Sequence, residues 1–129
     1  MPLKDSNVVL VKSKAFACRI VNLYQYLTDD HNPKRERTLS TQILRSGTSI
    51  GANVRESRRA QSSKDFIAKL YIALKEADET QYWLELLEHG KYINKAMFDS
   101  MNNDCEELLK LLTSIIKSAQ DNLNNSDNS

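Results

Sequence analysis

Apolar residues recur along this chain at the spacing of one helix face, and the pattern is cleanest near its end. Met97, Met101, Cys105, Leu108, Leu112, Ile115 and Ala119 fall on a single side when residues are placed about 100° apart. Three earlier stretches show the same period. Val9, Phe16, Ile20, Leu23, Tyr24 and Leu27 share a face within residues 8–27. Leu39, Ile43, Gly47, Ile50 and Val54 do so within 36–61. Phe66, Leu70, Ala73, Leu74, Ala77, Leu84 and Leu87 do so within 63–89. The fourth stretch covers 95–120. Breakers are scarce, with 3 Gly and 2 Pro in 129 residues, so long helices are expected. Four such helices with short links imply an all-α fold, an antiparallel up-down-up-down four-helix bundle over residues 1–120.

The punctuation fits that reading. Asp29-Asp30-His31-Asn32-Pro33 is a turn with a helix-stopping proline. Ser62 and Asn94 are suited to N-caps, Asp65 to the positive helix end, and Gly90 to a C-terminal cap. Ile93 and Phe98 have the spacing of a hydrophobic staple. Two points stay open. Val8-Val9-Leu10-Val11 reads equally as extended chain, because β-branched runs suit strands. No Pro or Gly lies between Gln61 and Lys64, so the second and third stretches form either two helices or one bent helix. Residues 121–129 are polar and are expected to be a disordered tail.

The second stretch is dense in small residues: Ser40, Ser46, Gly47, Ser49, Gly51 and Ala52. Each interior glycine costs about 1 kcal/mol relative to alanine, so a close neighbour is expected there. Ile72 and Trp83 lie about 220° from the main stripe of the third stretch, which points to a second contact surface, either a partner or subunit interface or a covering loop.

Little supports catalysis. The nearest approach to a di-iron motif is Glu85 with Glu88-His89, spaced Glu-x-x-x-His and without a second copy. Two histidines and two cysteines, widely scattered, do not make a zinc site, so neither metal nor cofactor is expected. Cys105 lies on an apolar stripe, where an inert thiol is the default. Arg45-Ser-Gly-Thr-Ser-Ile-Gly51 lacks the strand of a nucleophile elbow and the Gly-Lys-Ser/Thr ending of a phosphate loop. Two cysteines inside helical patterns suit reduced thiols in the cytoplasm. Met1 to Asn7 lacks the pattern of a secretory signal, and no stretch approaches the ~20 apolar residues of a membrane span.

One polar feature rises above background. Arg37, Arg45, Arg55 and Arg59 cluster within an arc of about 80° on the second stretch, with Arg58 beside them and Lys64 following. Arginine's planar fork suits phosphate, so this is a candidate nucleic-acid surface. The competing reading is a solvated face paired with Glu56 or with the acidic third stretch. A net charge of +1 excludes a strongly basic domain but not a local patch. Aromatic residues, which would signal single-strand binding, are absent from this stretch.

Gln42-Ile-Leu-Arg45-Ser-Gly-Thr-Ser49-Ile50-Gly-Ala-Asn53-Val54-Arg-Glu56-Ser57 resembles the signature of the four-helix bundle family named for 23S rRNA intervening sequences. That signature is close to Gln-x-x-Arg-x-x-x-Ser-Ile-x-x-Asn-Ile-x-Glu-Gly. Gln42, Arg45, Ser49, Ile50, Asn53 and Glu56 match it, Val54 stands for its Ile, and Ser57 for its Gly. The resemblance extends from about Lys14 to Ile116. It implies an antiparallel bundle assembled into a homopentameric ring. A related group, the accessory proteins of diversity-generating retroelements, binds a reverse transcriptase and nucleic acid. The resemblance therefore implies RNA or a ribonucleoprotein such as a reverse transcriptase as partner, and the scarcity of convergent polar groups argues separately against an enzyme. The alternative is a protein-binding scaffold with no nucleic-acid role, using Ile72 and Trp83 for assembly.

Overall fold

A computed structural model describes residues 4–127. They form four helices: α1 (Lys4–Thr28), α2 (Thr38–Ser57), α3 (Ser63–His89) and α4 (Lys95–Asp127). No strand occurs among the described residues. Val8-Val9-Leu10-Val11 is helical, because Val9 is fully buried while Val8 and Val11 face out, a helical rather than alternating pattern of use. The expectations placed on Asn128 and Ser129, and on the part of Met1–Asn7 before Lys4, lie outside the described residues.

Each helix packs on two others, in the cycle α1–α2–α3–α4 and back to α1. The shared core is the set of apolar faces: Phe16, Ile20 and Leu27 from α1, Ile43 and Ile50 from α2, Leu70, Leu84 and Leu87 from α3, and Leu108, Leu112 and Ile115 from α4. Each side chain of this size contributes about 1.5–3 kcal/mol on full burial. No helix among the described residues is long and apolar enough to cross a membrane.

The small residues of α2 let α1 come close. A Cβ on Gly47 would lie 2.7 Å from Ile20 Cγ1, and one on Gly51 would lie 3.2 Å from the Ser13 carbonyl oxygen. The glycines therefore exchange helix propensity for close packing. On the other side of α2, Ser46 and Thr80 of α3 meet through buried hydroxyls 2.9 Å apart, while Thr80 donates to the Glu76 carbonyl at 2.7 Å.

α2 and α3 are separate helices. Without a glycine at its end, α2 stops at Ser57 by tightening. The amides of Arg58, Arg59 and Ala60 bond three residues back, to Arg55, Glu56 and Ser57. The Ser57 hydroxyl also donates to the Val54 carbonyl at 2.6 Å, competing with regular helix bonding. Ser62 then caps α3 by accepting from the Asp65 amide at 3.0 Å, and Asn94 caps α4 by accepting from Met97 at 2.8 Å. At Gly90 the backbone is right-handed, with φ −77°. Lys91 takes the left-handed conformation instead, φ 63°. Its amide bonds Glu88, and that of Tyr92 bonds Leu87, which closes a Schellman motif. Gly90 is needed for space, since a Cβ there would lie 2.7 Å from the Tyr92 ring.

Four ends differ from the sequence expectation, and two of them are that α1 begins at Lys4 rather than Val8 and α2 stops at Ser57 rather than Gln61. α2 begins at Thr38 rather than Glu36, because the Glu36 carboxylate folds over the helix start. It accepts from the amides of Thr38, Leu39 and Ser40 at 2.8–2.9 Å. Partial burial opposes its ionisation, but these bonds and the Ser40 hydroxyl outweigh burial and hold its pKa below 4.5. α4 continues past Asp121 to Asp127, because Leu123 packs against the core and extends the apolar stripe by one turn.

Gly47→Ala is expected to destabilise the protein by roughly 1–2 kcal/mol despite better helix propensity, because Ile20 is buried and has no room to retreat. Urea unfolding measures it. Glu36→Gln is expected to cost about 0.5–1 kcal/mol at neutral pH, as the helix end loses its anion. Because the folded-state pKa is lowered, this stabilisation is present above the ordinary glutamate range and fades as pH falls through the folded value. Wild type and variant should therefore converge in acid.

Candidate nucleic-acid interface

Each arginine of the candidate patch is positioned by its place along α2, not only by its angle around it. Arg37 occupies the N-cap, 3.8 Å from Asp30. Arg55 is in the last turn and Arg58 is the C-cap. Eighteen residues at 1.5 Å rise put about 27 Å between Arg37 and Arg55. The shared arc is therefore a line along the helix, and no compact ligand spans it.

Arg45, midway, is engaged with α3. Its guanidinium pairs with Glu76 at 3.3 Å and with Glu79. Glu79 also accepts from Trp83 Nε1 at 3.0 Å. A phosphate at Arg45 would have to displace two carboxylates. Arg55, Arg58 and Arg59 stand differently. All three are exposed, and among the described residues no ion pair involves them. With exposed Lys64 in the first turn of α3, they make a basic corner where α2 passes to α3.

The signature residues Gln42, Arg45, Ser49, Asn53 and Glu56 are spaced three or four apart and so form one stripe of α2. Ile50 points into the core, fully buried, as does Val54 at the signature's second isoleucine position. Ser49 donates to the Arg45 carbonyl at 2.6 Å, and Asn53 to the Ser49 carbonyl at 2.8 Å. These bonds stay within α2. The stripe is a polar seam along the helix, half-buried at Gln42, Ser49 and Asn53 and exposed at Arg45 and Glu56, not an internal polar network.

On α3, Ile72 is 43% exposed. Trp83 is only half-buried rather than open, since one edge packs on the core, its N–H reaches Glu79, and its ring meets Tyr82 edge-on at 5.1 Å. Sequence reasoning missed two further aromatics on this helix, Tyr71 and Tyr82, 41% and 53% exposed. Their signal was available in the same outward arc, but tyrosine alone does not distinguish surface from core.

Other chemistry is sparse. Among the described residues, no three His, Cys, Asp or Glu side chains gather as a metal site. Cys105 is buried, and its thiol donates to the Ala77 carbonyl at 3.2 Å. Burial, reinforced by Glu106, Asp78 and Asp104, pushes its pKa up to about 12. Cys18 is exposed on α1.

The model of the 23S rRNA-intervening sequence protein family matches residues 5–114 of the chain. A crystal structure from Bacteroides thetaiotaomicron, described as a protein with unknown function from the S23 ribosomal protein family, is 58% identical. The match covers 88% of this chain and 98% of that one, with a TM-score of 0.84. No curated protein matches.

Under native conditions a maleimide is expected to label Cys18 alone, because Cys105 has neither access nor thiolate character. Mass spectrometry should show one adduct before unfolding and two after it.

Proposed function

Because the chain belongs to the 23S rRNA-intervening sequence protein family, we propose that it is a non-enzymatic, antiparallel up-down-up-down bundle. It works as a homo-oligomer, a pentamer by family resemblance, and binds RNA or a ribonucleoprotein through the basic corner. The reversed order of close contacts supports the antiparallel arrangement. Ser13 and Ile20 of α1 meet Gly51 and Gly47 of α2, and Lys12 and Arg19 pair with Glu107 and Asp104 of α4. An exposed, unbridged Cys18 suits a reducing, cytoplasmic setting.

The observation that carries the RNA reading is the contrast between arginines. Arg45 spends its charge on Glu76 and Glu79, whereas Arg55, Arg58 and Arg59 present theirs to solvent. Three forks at one corner suit phosphates, and a ring would repeat the corner in each subunit. Arg37 and Arg45 take no part in this contact.

The second reading is a protein-binding scaffold. Tyr71, Ile72 and Tyr82 favour it, because they leave apolar area open on α3. Trp83, with its half-covered ring, sits at the margin of that surface.

Arg55→Ala with Arg58→Ala and Arg59→Ala is expected to weaken binding of an RNA oligonucleotide at least tenfold at low salt. It should flatten the salt dependence by about two units of log–log slope, at roughly 0.7 per phosphate contact on a single strand. Arg45→Ala should change either quantity little. Fluorescence anisotropy across a salt series measures both. A nucleic-acid-free oligomer that Ile72→Glu dissociates, seen by light scattering, would favour the scaffold instead.

A further inference from the structure

We infer that the RNA at this corner is single-stranded, with one unpaired base entering a cleft beside the arginines; the inference rests on the phosphate-binding reading above. The cleft, about 610 Å³, opens between the start of α1, the end of α2, the start of α3 and the last turns of α4. Buried Val54 and Leu70 and the half-buried Phe66 and Leu123 give it an apolar floor, with Arg58 and Asn122 at the rim.

Arg58 belongs both to the cleft and to the basic corner, and this joins the two. A site that needs only phosphate has no use for an apolar floor. A site that needs only an apolar ligand has no use for Arg58 on its lining, with Arg55, Arg59 and Lys64 exposed at the same helix junction. A single-stranded polynucleotide satisfies both, since each of its units pairs an anionic phosphate with a flat, largely apolar base. In a duplex the bases are stacked and paired, and the A-form grooves do not offer a base face. Duplex RNA can therefore touch the arginines but cannot fill the cleft.

The aromatic group missing from α2 is supplied from α3. Phe66 lines the cleft and gives a ring for stacking. The Asn122 amide and the Ser63 hydroxyl, both exposed and both lining the cleft, can donate and accept. They suit a base edge or a ribose 2′-OH, which also does both. The extension of α4 beyond Asp121 matters here, because it brings Asn122 and Leu123 to the wall.

The test uses the full chain and three probes: a short single-stranded RNA, the same sequence as a duplex, and the single strand carrying 2-aminopurine. Anisotropy gives affinity, and 2-aminopurine emission reports burial of a base. The single strand is expected to bind at least tenfold tighter than the duplex, with emission quenched on binding. Asn122→Trp fills the cleft from an exposed position and keeps every arginine. It should bring single-strand affinity down to the duplex level and abolish the quench, with the salt dependence kept and the circular dichroism unchanged. Equal, salt-sensitive binding of both forms overturns this inference alone, as does an Asn122→Trp protein that keeps the preference. Failure of both forms to bind overturns the basic-corner reading and this one with it.

Discussion

The contact on which the rest of the structure depends is the close approach of α1 and α2 at Gly47 and Gly51. Ile20 fills the space where a side chain on Gly47 would be, and the Ser13 carbonyl lies against Gly51. This interlock sets both the separation of the two helices and their relative register. It turns Ile43, Ile50 and Val54 inward together, since they lie at helical spacing from Gly47. The remaining sides of α2 are then left for α3 and for solvent, and the arginines lie there. The glycines are tolerated in a long helix because packing, not propensity, supplies most of a helix's stability in a folded protein.

The polar pairs between helices act differently. Arg19 with Asp104, Lys12 with Glu107 and Arg45 with Glu76 are partly or largely exposed, and such pairs are worth about 0–1 kcal/mol each. Their effect is on alignment and on charge. α3 supplies the carboxylates that neutralise the middle of α2. Its first turn supplies Asp65, whose carboxylate is turned back onto the Gln61 amide at 3.2 Å. Among the described residues no carboxylate pairs with Arg55, Arg58 or Arg59, so the corner is locally basic in a protein whose net charge is only +1. The nearly balanced total comes from matched charges elsewhere, not from an absence of local field.

Most of the helical architecture was legible in the residues, because apolar periodicity and capping chemistry are local. Ser62 and Asn94 cap where their chemistry suits them, and the stripe from Met101 to Ile115 is buried along its length. Where the reading missed, the deciding contact was between elements. Glu36 looks like a first helical residue until its carboxylate is seen folded over three amides. Residues from Asp121 look too polar to pack, but one leucine in register with the core, Leu123, carries the helix on.

The site divides in the same way. The sequence by itself determined that the chain is helical, that α2 carries arginines on its polar side, and that Cys105 lies on an apolar stripe, since each follows from residue type and a 3.6-residue period. Tertiary structure alone decided which arginines are available. Arg45 and Arg55 are alike in type and lie within the same arc of about 80°, but Glu76 and Glu79 stand opposite one and not the other. It alone also brought Phe66, Arg58 and Asn122 around one cleft. Those residues come from three segments, and only the packing of helices at fixed separation and register determines which side chains meet across them.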